Sequence, residues 1–186
     1  MTIKISAPIP TIFLLACAIF AASLASLFLR QDANWDLRNY HFYNPYAFVN
    51  DRLEWDIAPA QQQTYLNPLL DLPFYWAVRA DWRPQWIAIL LALPVGIAGF
   101  FLILTVSRLF HGLKLVRWRV YTGLALVIGL TGTAGVPLIG STMNDWPGAM
   151  LILIAIWLLL ASDRFDGHKR WLAISLQDCS QDSQAV

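Results

Sequence analysis

Charged residues are scarce in this sequence, since Asp, Glu, Lys and Arg make up only 13% of its 186 residues while 58% are apolar. In a water-soluble domain about a quarter of all residues are charged, so the composition disfavours a soluble globular fold. The 13 basic and 12 acidic residues nearly cancel, and no run of lysine and arginine is long enough to follow a phosphate backbone. The sequence therefore excludes nucleic acid as a partner.

Cysteine is also rare, with two residues in the whole chain. Cys17 lies inside an apolar run and Cys179 in a polar tail, so no disulfide is expected to crosslink the polar segment between them. Redox chemistry is disfavoured, and no cofactor and no metal are predicted.

Long apolar runs are what the sequence does contain, at residues 7–29, 85–107, 120–141 and 146–161. The first run has no charged residue and, at ~1.5 Å per residue, exceeds the ~30 Å hydrocarbon layer. A cleaved signal peptide is the alternative, but its apolar core would be ~7–15 residues and would end in small residues. The glycines of the third run predict close helix contacts and a central position. We predict an all-α transmembrane bundle over residues 1–162, with about four spans.

The orientation follows from lysine and arginine, which tend to remain on the cytoplasmic side near span ends. Between the second and third runs lie four positive residues and no acid, namely Arg108, Lys114, Arg117 and Arg119. This connector is therefore predicted to be cytoplasmic, with both termini on the same side. Residues 30–84 then form a long outer loop, which holds most of the acids.

The segment after the fourth run has two interpretations. Residues 163–170 have a cytoplasmic character, and WLAISL (171–176) begins like another membrane helix before the polar QDCSQDSQAV. Either residues 163–186 are a cytoplasmic tail, or they are the start of a fifth span interrupted inside a longer protein. The second interpretation is favoured.

The outer loop contains two segments that read as surface helices. Residues 36–50 predict a helix that starts at Asp36 as N-cap and bends or breaks at Pro45. Residues 67–79 (NPLLDLPFYWAVR) are apolar but too short to cross a membrane, so we expect them to lie in the interface plane.

This layout resembles the N-terminal portion of GT-C fold glycosyltransferases, which include protein O-mannosyltransferases and the lipid A aminoarabinose transferases. The resemblance rests on three segments: DLRNYHFYNPYAF (36–48), NPLLDLPFYW (67–76) and STMNDWPGAMLILIAIWLLLA (141–161). It implies a multi-pass protein of the cytoplasmic (inner) membrane that moves a sugar from a polyprenyl-phosphate carrier on the outer face. Membrane lipid and the lipid-linked sugar donor are the implied partners. Where some relatives carry a glutamate before the second surface helix, this chain has Leu66 and Asn67, which argues against a metal.

The resemblance also implies site residues. Asp36 corresponds to the general base that takes the acceptor proton, with Asp32 as the second choice. Asp145, at the mouth of the fourth run, is either catalytic or a helix cap, and both interpretations stay open. Residues predicted to contact the substrate are Arg38, Tyr40, His41, Asn67 and Asn144. Arg38 is a candidate for the carrier phosphate, although solvation or headgroup contact is the favoured explanation for such an arginine.

Two other functions are compatible with the sequence. The chain could be a non-catalytic membrane protein, such as an accessory subunit or a transporter component, but its spans lack the ionisable residues that transporters place near the bilayer midplane. It could also be an inactive remnant, because family members carry further spans and a C-terminal region.

Overall fold

The structure, a computed structural model, describes residues 8–29, 32–110, 114–132 and 135–162. Within these ranges it is helical and contains no strand, which confirms the all-α prediction. The α-helices are α1 (Pro8–Leu29), α2 (Tyr43–Val49), α3 (Leu72–Arg79), α4 (Pro84–Leu109), α5 (Leu115–Leu130) and α6 (Asp145–Ala161). The predicted tail or fifth span at 163–186 lies outside the described residues.

Among the described residues, two helices are long and apolar enough to cross a membrane, over Thr11–Leu29 of α1 and Pro84–Leu109 of α4. Helix α6 is equally apolar in character but shorter, at 17 residues. Large apolar side chains on α1 point away from the protein, and Phe13 and Phe28 are 70% and 78% exposed. Exposed phenylalanines on a helix of this length point to association with a membrane.

Helix α4 is the centre of the helix packing, because it contacts α1, α3, α5 and α6. A glycine makes its closest contact possible: a Cβ atom at Gly96 would lie 2.6 Å from the Cα atom of Ile19 in α1. The backbones of α1 and α4 therefore touch at this point, as small residues allow in membrane-type helix pairs. The core around this contact contains Ala22, Ala92, Val95, Ala98 and Trp146.

The third apolar run differs from its prediction. We expected one helix over 120–141 in a central position, whereas α5 begins at Leu115, ends at Leu130 and packs mainly on α4. Residues 135–140 form turns instead. Gly132, Gly135 and Pro137 explain the early end, since glycine disfavours helical backbone and proline lacks the N–H of a helix interior. Gly140 has a left-handed φ of 76°, and a Cβ there would lie 2.6 Å from that of Ser26.

In the segment between α1 and α4, the first helix starts at a different cap from the one predicted. Asp36 was predicted as N-cap, but its backbone is already helical and its side chain makes no capping hydrogen bond. Asn34 caps instead, because its Oδ1 accepts a hydrogen bond from the Leu37 N–H at 2.7 Å. Both residue types are good N-caps, so composition alone did not distinguish them. The carboxylate of Asp36 is thus available for other contacts.

The predicted helix over 36–50 is divided in two. Residues Leu37–His41 form one π-helical turn, and α2 follows from Tyr43. Pro45 accounts for the division, because it has no N–H for the carbonyl of His41, four residues upstream.

The predicted surface helix over 67–79 is also divided, into a short 3₁₀ turn at Pro68–Leu70 and the helix α3 that follows. Asn67 caps that turn by accepting the Leu69 N–H at 3.0 Å.

Candidate functional site

A buried histidine–aspartate pair joins two parts of the segment between α1 and α4. His41 Nδ1 lies 2.9 Å from Asp71 Oδ1, and the two residues are only 2% and 5% exposed. The π-helical turn supplies His41, and the residue directly before α3 supplies Asp71. Because an ionised carboxylate can only accept, the imidazole Nδ1–H is the donor. Asn144, at the start of α6, brings its Nδ2 to 3.4 Å from the same oxygen.

These groups form one wall of a polar cavity of about 430 Å³. Its lining consists of Tyr40, His41, Leu66, Asn67, Asp71, Met143, Asn144 and Asp145. Within the described part of the chain this lining contains carboxylates, amides, a phenol and an imidazole, and neither lysine nor arginine. The structure therefore brings together five residues that the sequence singled out: Tyr40, His41, Asn67, Asn144 and Asp145.

Tyr40 lies among three carboxylates. Partial burial raises the pKa of its phenol, and the negative charges of Asp36, Asp71 and Asp145 raise the pKa further. Its ring also lies against the imidazole of His41, with 4.2 Å between the ring centroids. Asp36 and Asp145, which are more than 100 positions apart in the sequence, thus act on the same phenol. The neutral phenol is a hydrogen-bond donor that faces an acidic cavity.

The raised pKa predicts how the phenol titrates. The difference between the absorbance titrations of the native protein and of Tyr40→Phe gives the ionisation of Tyr40. Its midpoint should lie above pH 10, where an ordinary tyrosine is half ionised. Because the pKa is raised in the fold, the associated stability is present below pH 10 and is lost as the pH rises through the folded value. In the control Asp36→Asn, which removes one negative charge, the midpoint should move down. A Tyr40 midpoint at or below pH 10 in the native protein would contradict this environment.

Asp36 and Asp145 differ in their surroundings. Asp36 is half-buried and does not line the cavity, although its charge reaches Tyr40. Asp145 is exposed at the first turn of α6, where a negative charge favours the helix N-terminus. Asn144 is the N-cap residue, yet its side chain does not cap the helix. Neither carboxylate has a hydrogen-bond partner in the described ranges, so both are free to meet a ligand.

Asp32 and Arg38 lie at a different cavity, an apolar cleft of about 380 Å³ beside the start of α4. Its other lining residues are mainly apolar: Leu37, Phe42, Phe74, Val78, Pro84, Ile87, Ala88, Leu91 and Gly140. Asp32 Oδ2 accepts the N–H and the hydroxyl of Thr142 at 2.8 and 2.9 Å. Its Oδ1 accepts the N–H and the Nδ2 of Asn34. A catalytic role for Asp32 stays a prediction, and its visible contacts hold two chain segments together.

A narrow groove of about 220 Å³ lies between these two cavities. It shares Asp71, Met143 and Asn144 with the polar cavity, and Phe74 and Leu91 with the apolar cleft. The remainder of the groove is mostly aliphatic and includes residues of α4 such as Leu90, Leu93 and Pro94. An amphiphile could therefore place a polar end in the polar cavity while its apolar part follows α4.

Sequence reasoning missed Asp71 and Thr142. Asp71 was counted only among the outer acids, although an acid inside the apolar stretch NPLLDLPFY is costly without a partner and could have been noticed. Thr142 carried no signal, because its partner Asp32 is 110 positions away. Among the described residues, no group of three or more His, Cys, Asp or Glu side chains is arranged to hold a metal ion.

A scan against protein-family models and searches of curated proteins and solved structures give no match to this chain.

Proposed function

We propose that the protein is a GT-C-type membrane glycosyltransferase that moves a sugar from a polyprenyl-phosphate carrier to an acceptor on the outer face. The observation that carries this proposal is the polar cavity with its carboxylates, amides and phenol, joined by the groove to an apolar cleft along α4. Neutral sugars present many hydroxyl groups, which donate to carboxylates and accept from amides. A cavity without lysine or arginine in its described lining suits such a ligand better than an anion.

The membrane topology is part of the proposal. Helices α1, α4, α5 and α6 would each cross the bilayer, with both termini and the arginine-rich connector in the cytoplasm. Helices of 16 and 17 residues measure about 24–26 Å, which a membrane accommodates by local thinning and by flanking interfacial residues. The polar cavity would then open to the outer compartment, where Asp36 and Asp145 meet around Tyr40.

The carrier lipid would lie in the apolar cleft. Arg38 is the one cation in the described lining of that cleft, and its side chain is exposed. A guanidinium at the edge of an apolar surface suits a phosphate whose isoprenoid chain covers that surface. The sugar would reach from the phosphate through the groove into the polar cavity.

The chemistry requires charge stabilisation and a proton acceptor. Glycosyl transfer passes through an oxocarbenium-like transition state, whose positive charge is stabilised by nearby carboxylates. Asp36, Asp71 and Asp145 supply negative charge around Tyr40. By resemblance, Asp36 is the carboxylate that takes the proton of the acceptor hydroxyl.

Carrier turnover in membranes tests this function. Membranes that contain the chain should release polyprenyl phosphate from at least one donor in a panel of undecaprenyl-phosphate glucose, mannose and aminoarabinose, with native membrane components as acceptors. Asp36→Asn and Asp145→Asn should each lower this turnover about tenfold, since each removes one stabilising charge. Asp51→Asn is the matched control, because Asp51 is an exposed acid of the same outer segment that lines neither cavity.

Two results would contradict this proposal or its assignment of Asp36. If membranes with and without the chain release the carrier at the same rate for every donor, the protein is not a glycosyltransferase of this class. If Asp36→Asn retains full turnover while other variants lose it, the assignment of Asp36 is wrong.

A further inference from the structure

The best-positioned carboxylate of the polar cavity is one that neither the sequence pattern nor the resemblance assigned. Asp71 lines both the polar cavity and the groove, at the point where the sugar and the carrier would meet. Two donors fix its Oδ1 oxygen: His41 at 2.9 Å and Asn144 at 3.4 Å. These donors come from two separate segments of the chain, so the carboxylate has a defined orientation.

The second oxygen of Asp71 is available. Oδ2 has no hydrogen-bond partner in the described ranges, and it is not among the polar atoms that are sealed from solvent. The Nε2 atom of His41, in contrast, is both sealed and unpartnered. His41 therefore cannot meet a substrate directly in this conformation, and its role is to hold Asp71 through Nδ1.

We propose that Asp71 is the general base of the reaction and that His41 and Asn144 are its positioning residues. This inference rests on the proposed function. It assigns to Asp71 the proton-accepting role that the resemblance gave to Asp36. A base must lie at a fixed position to act on a hydroxyl, and only Asp71 among the cavity carboxylates is fixed by side-chain hydrogen bonds in the described structure. Asp36 and Asp145 then contribute negative charge.

The O–H bond of the acceptor breaks, and its proton passes to Asp71 Oδ2. The freed electron pair forms the bond from the acceptor oxygen to the anomeric carbon. The bond from that carbon to the phosphate oxygen breaks, and its electron pair leaves with the polyprenyl phosphate. Asp71 afterwards loses the proton to water, and no oxidant or further reactant is needed.

Asp71→Asn tests the assignment in the full chain in membranes, with the undecaprenyl-phosphate sugar that the native protein turns over as the probe. Loss of the base should lower kcat by about 10²–10⁴, as general-base removal typically does, while the KM for the donor changes little. The control Asp51→Asn should keep native kcat. The asparagine is nearly isosteric, and the amount of folded protein is followed by size-exclusion profile.

Chemical rescue separates a base from a structural carboxylate. In Asp71→Gly, added formate should restore turnover at least tenfold, because a small carboxylate can occupy the vacated space. His41→Phe should also lower kcat, but formate should not rescue it, since the carboxylate is present and only misplaced. His41→Gln, which can still donate an N–H to Asp71, should retain more activity than His41→Phe.

The outcomes are distinguishable. A native protein that releases no carrier from any donor rejects the proposed function and this inference with it. An active native protein with Asp71→Asn within threefold of its kcat, or with Asp71→Gly unaffected by formate, overturns the inference alone. A loss confined to KM would make Asp71 a binding residue and would equally overturn its role as base.

Discussion

Gly96→Val is expected to cause a large loss of folded protein, because it disrupts the contact between α1 and α4. A Cβ atom there would lie 2.6 Å from the Cα of Ile19 and 3.0 Å from its N atom. Both are backbone atoms of α1, so no flexible side chain can move aside, and the two helices would have to separate. Overpacking that forces backbone shifts costs about 1–3 kcal/mol, and occasionally more. Thermal unfolding of the detergent-purified protein, followed by its size-exclusion profile, measures the effect.

The chain offers a matched control for this change. Gly123 in α5 has no atom within 4 Å of the position where its Cβ would lie. Gly123→Val should therefore leave the unfolding temperature nearly unchanged, because valine is if anything the better helix former. If Gly96→Val unfolds no earlier than Gly123→Val, the contact between α1 and α4 is not the one described.

The same two glycines show how far sequence could predict the packing. Glycine content correctly signals close helix contact, yet it placed that contact on the third run, where five glycines lie between 123 and 140. In the structure Gly140 of that run and Gly96 of α4 approach α1 equally closely, because a Cβ atom at either position would lie 2.6 Å from an atom of α1. A glycine pattern does not state which neighbour fills the space, and Gly132 and Gly135 of the third run serve to end α5 instead.

Helix positions were predicted more closely than their partners. The structure has helices at Pro8–Leu29, Pro84–Leu109 and Asp145–Ala161, within two residues of the predicted runs at 7–29, 85–107 and 146–161. Prolines and charges set these ends, and both are local properties of the sequence. The prediction of one helix over 120–141 was wrong, because a uniformly apolar sequence conceals a local preference for turns.

The candidate site was predictable by residue type and not by pairing. The resemblance indicated Tyr40, His41, Asn67 and Asn144, and the structure places all four on one cavity. No periodic spacing relates His41 to Asp71, which is 30 positions away. Their contact depends on how the π-helical turn and α3 pack together, and a single sequence does not show that.

Asp32→Ala is expected to loosen the wall of the site from a distance. The carboxylate connects the start of the segment after α1 to the turn before α6, with two hydrogen bonds to Thr142 and two to Asn34. Its loss leaves a buried hydroxyl without its acceptor, since Thr142 is only 3% exposed. Removal of a charged acceptor costs about 1.5–3 kcal/mol for such bonds, and we expect a decrease in stability of this size. Asn34 would also lose the contact that orients its capping oxygen.

Carrier turnover should fall with stability, because Thr142 is followed directly by Met143 and Asn144, which line the polar cavity. Thr142→Val is the matched partner variant: it removes the hydroxyl and keeps the backbone N–H, so its cost should be about 1 kcal/mol. A double-mutant cycle between the two positions should give a coupling energy of about 1 kcal/mol in thermal unfolding. Additive effects would show that Asp32 and Thr142 do not interact in the folded protein. Native stability with abolished turnover in Asp32→Ala would instead place Asp32 in the chemistry, as the resemblance allowed.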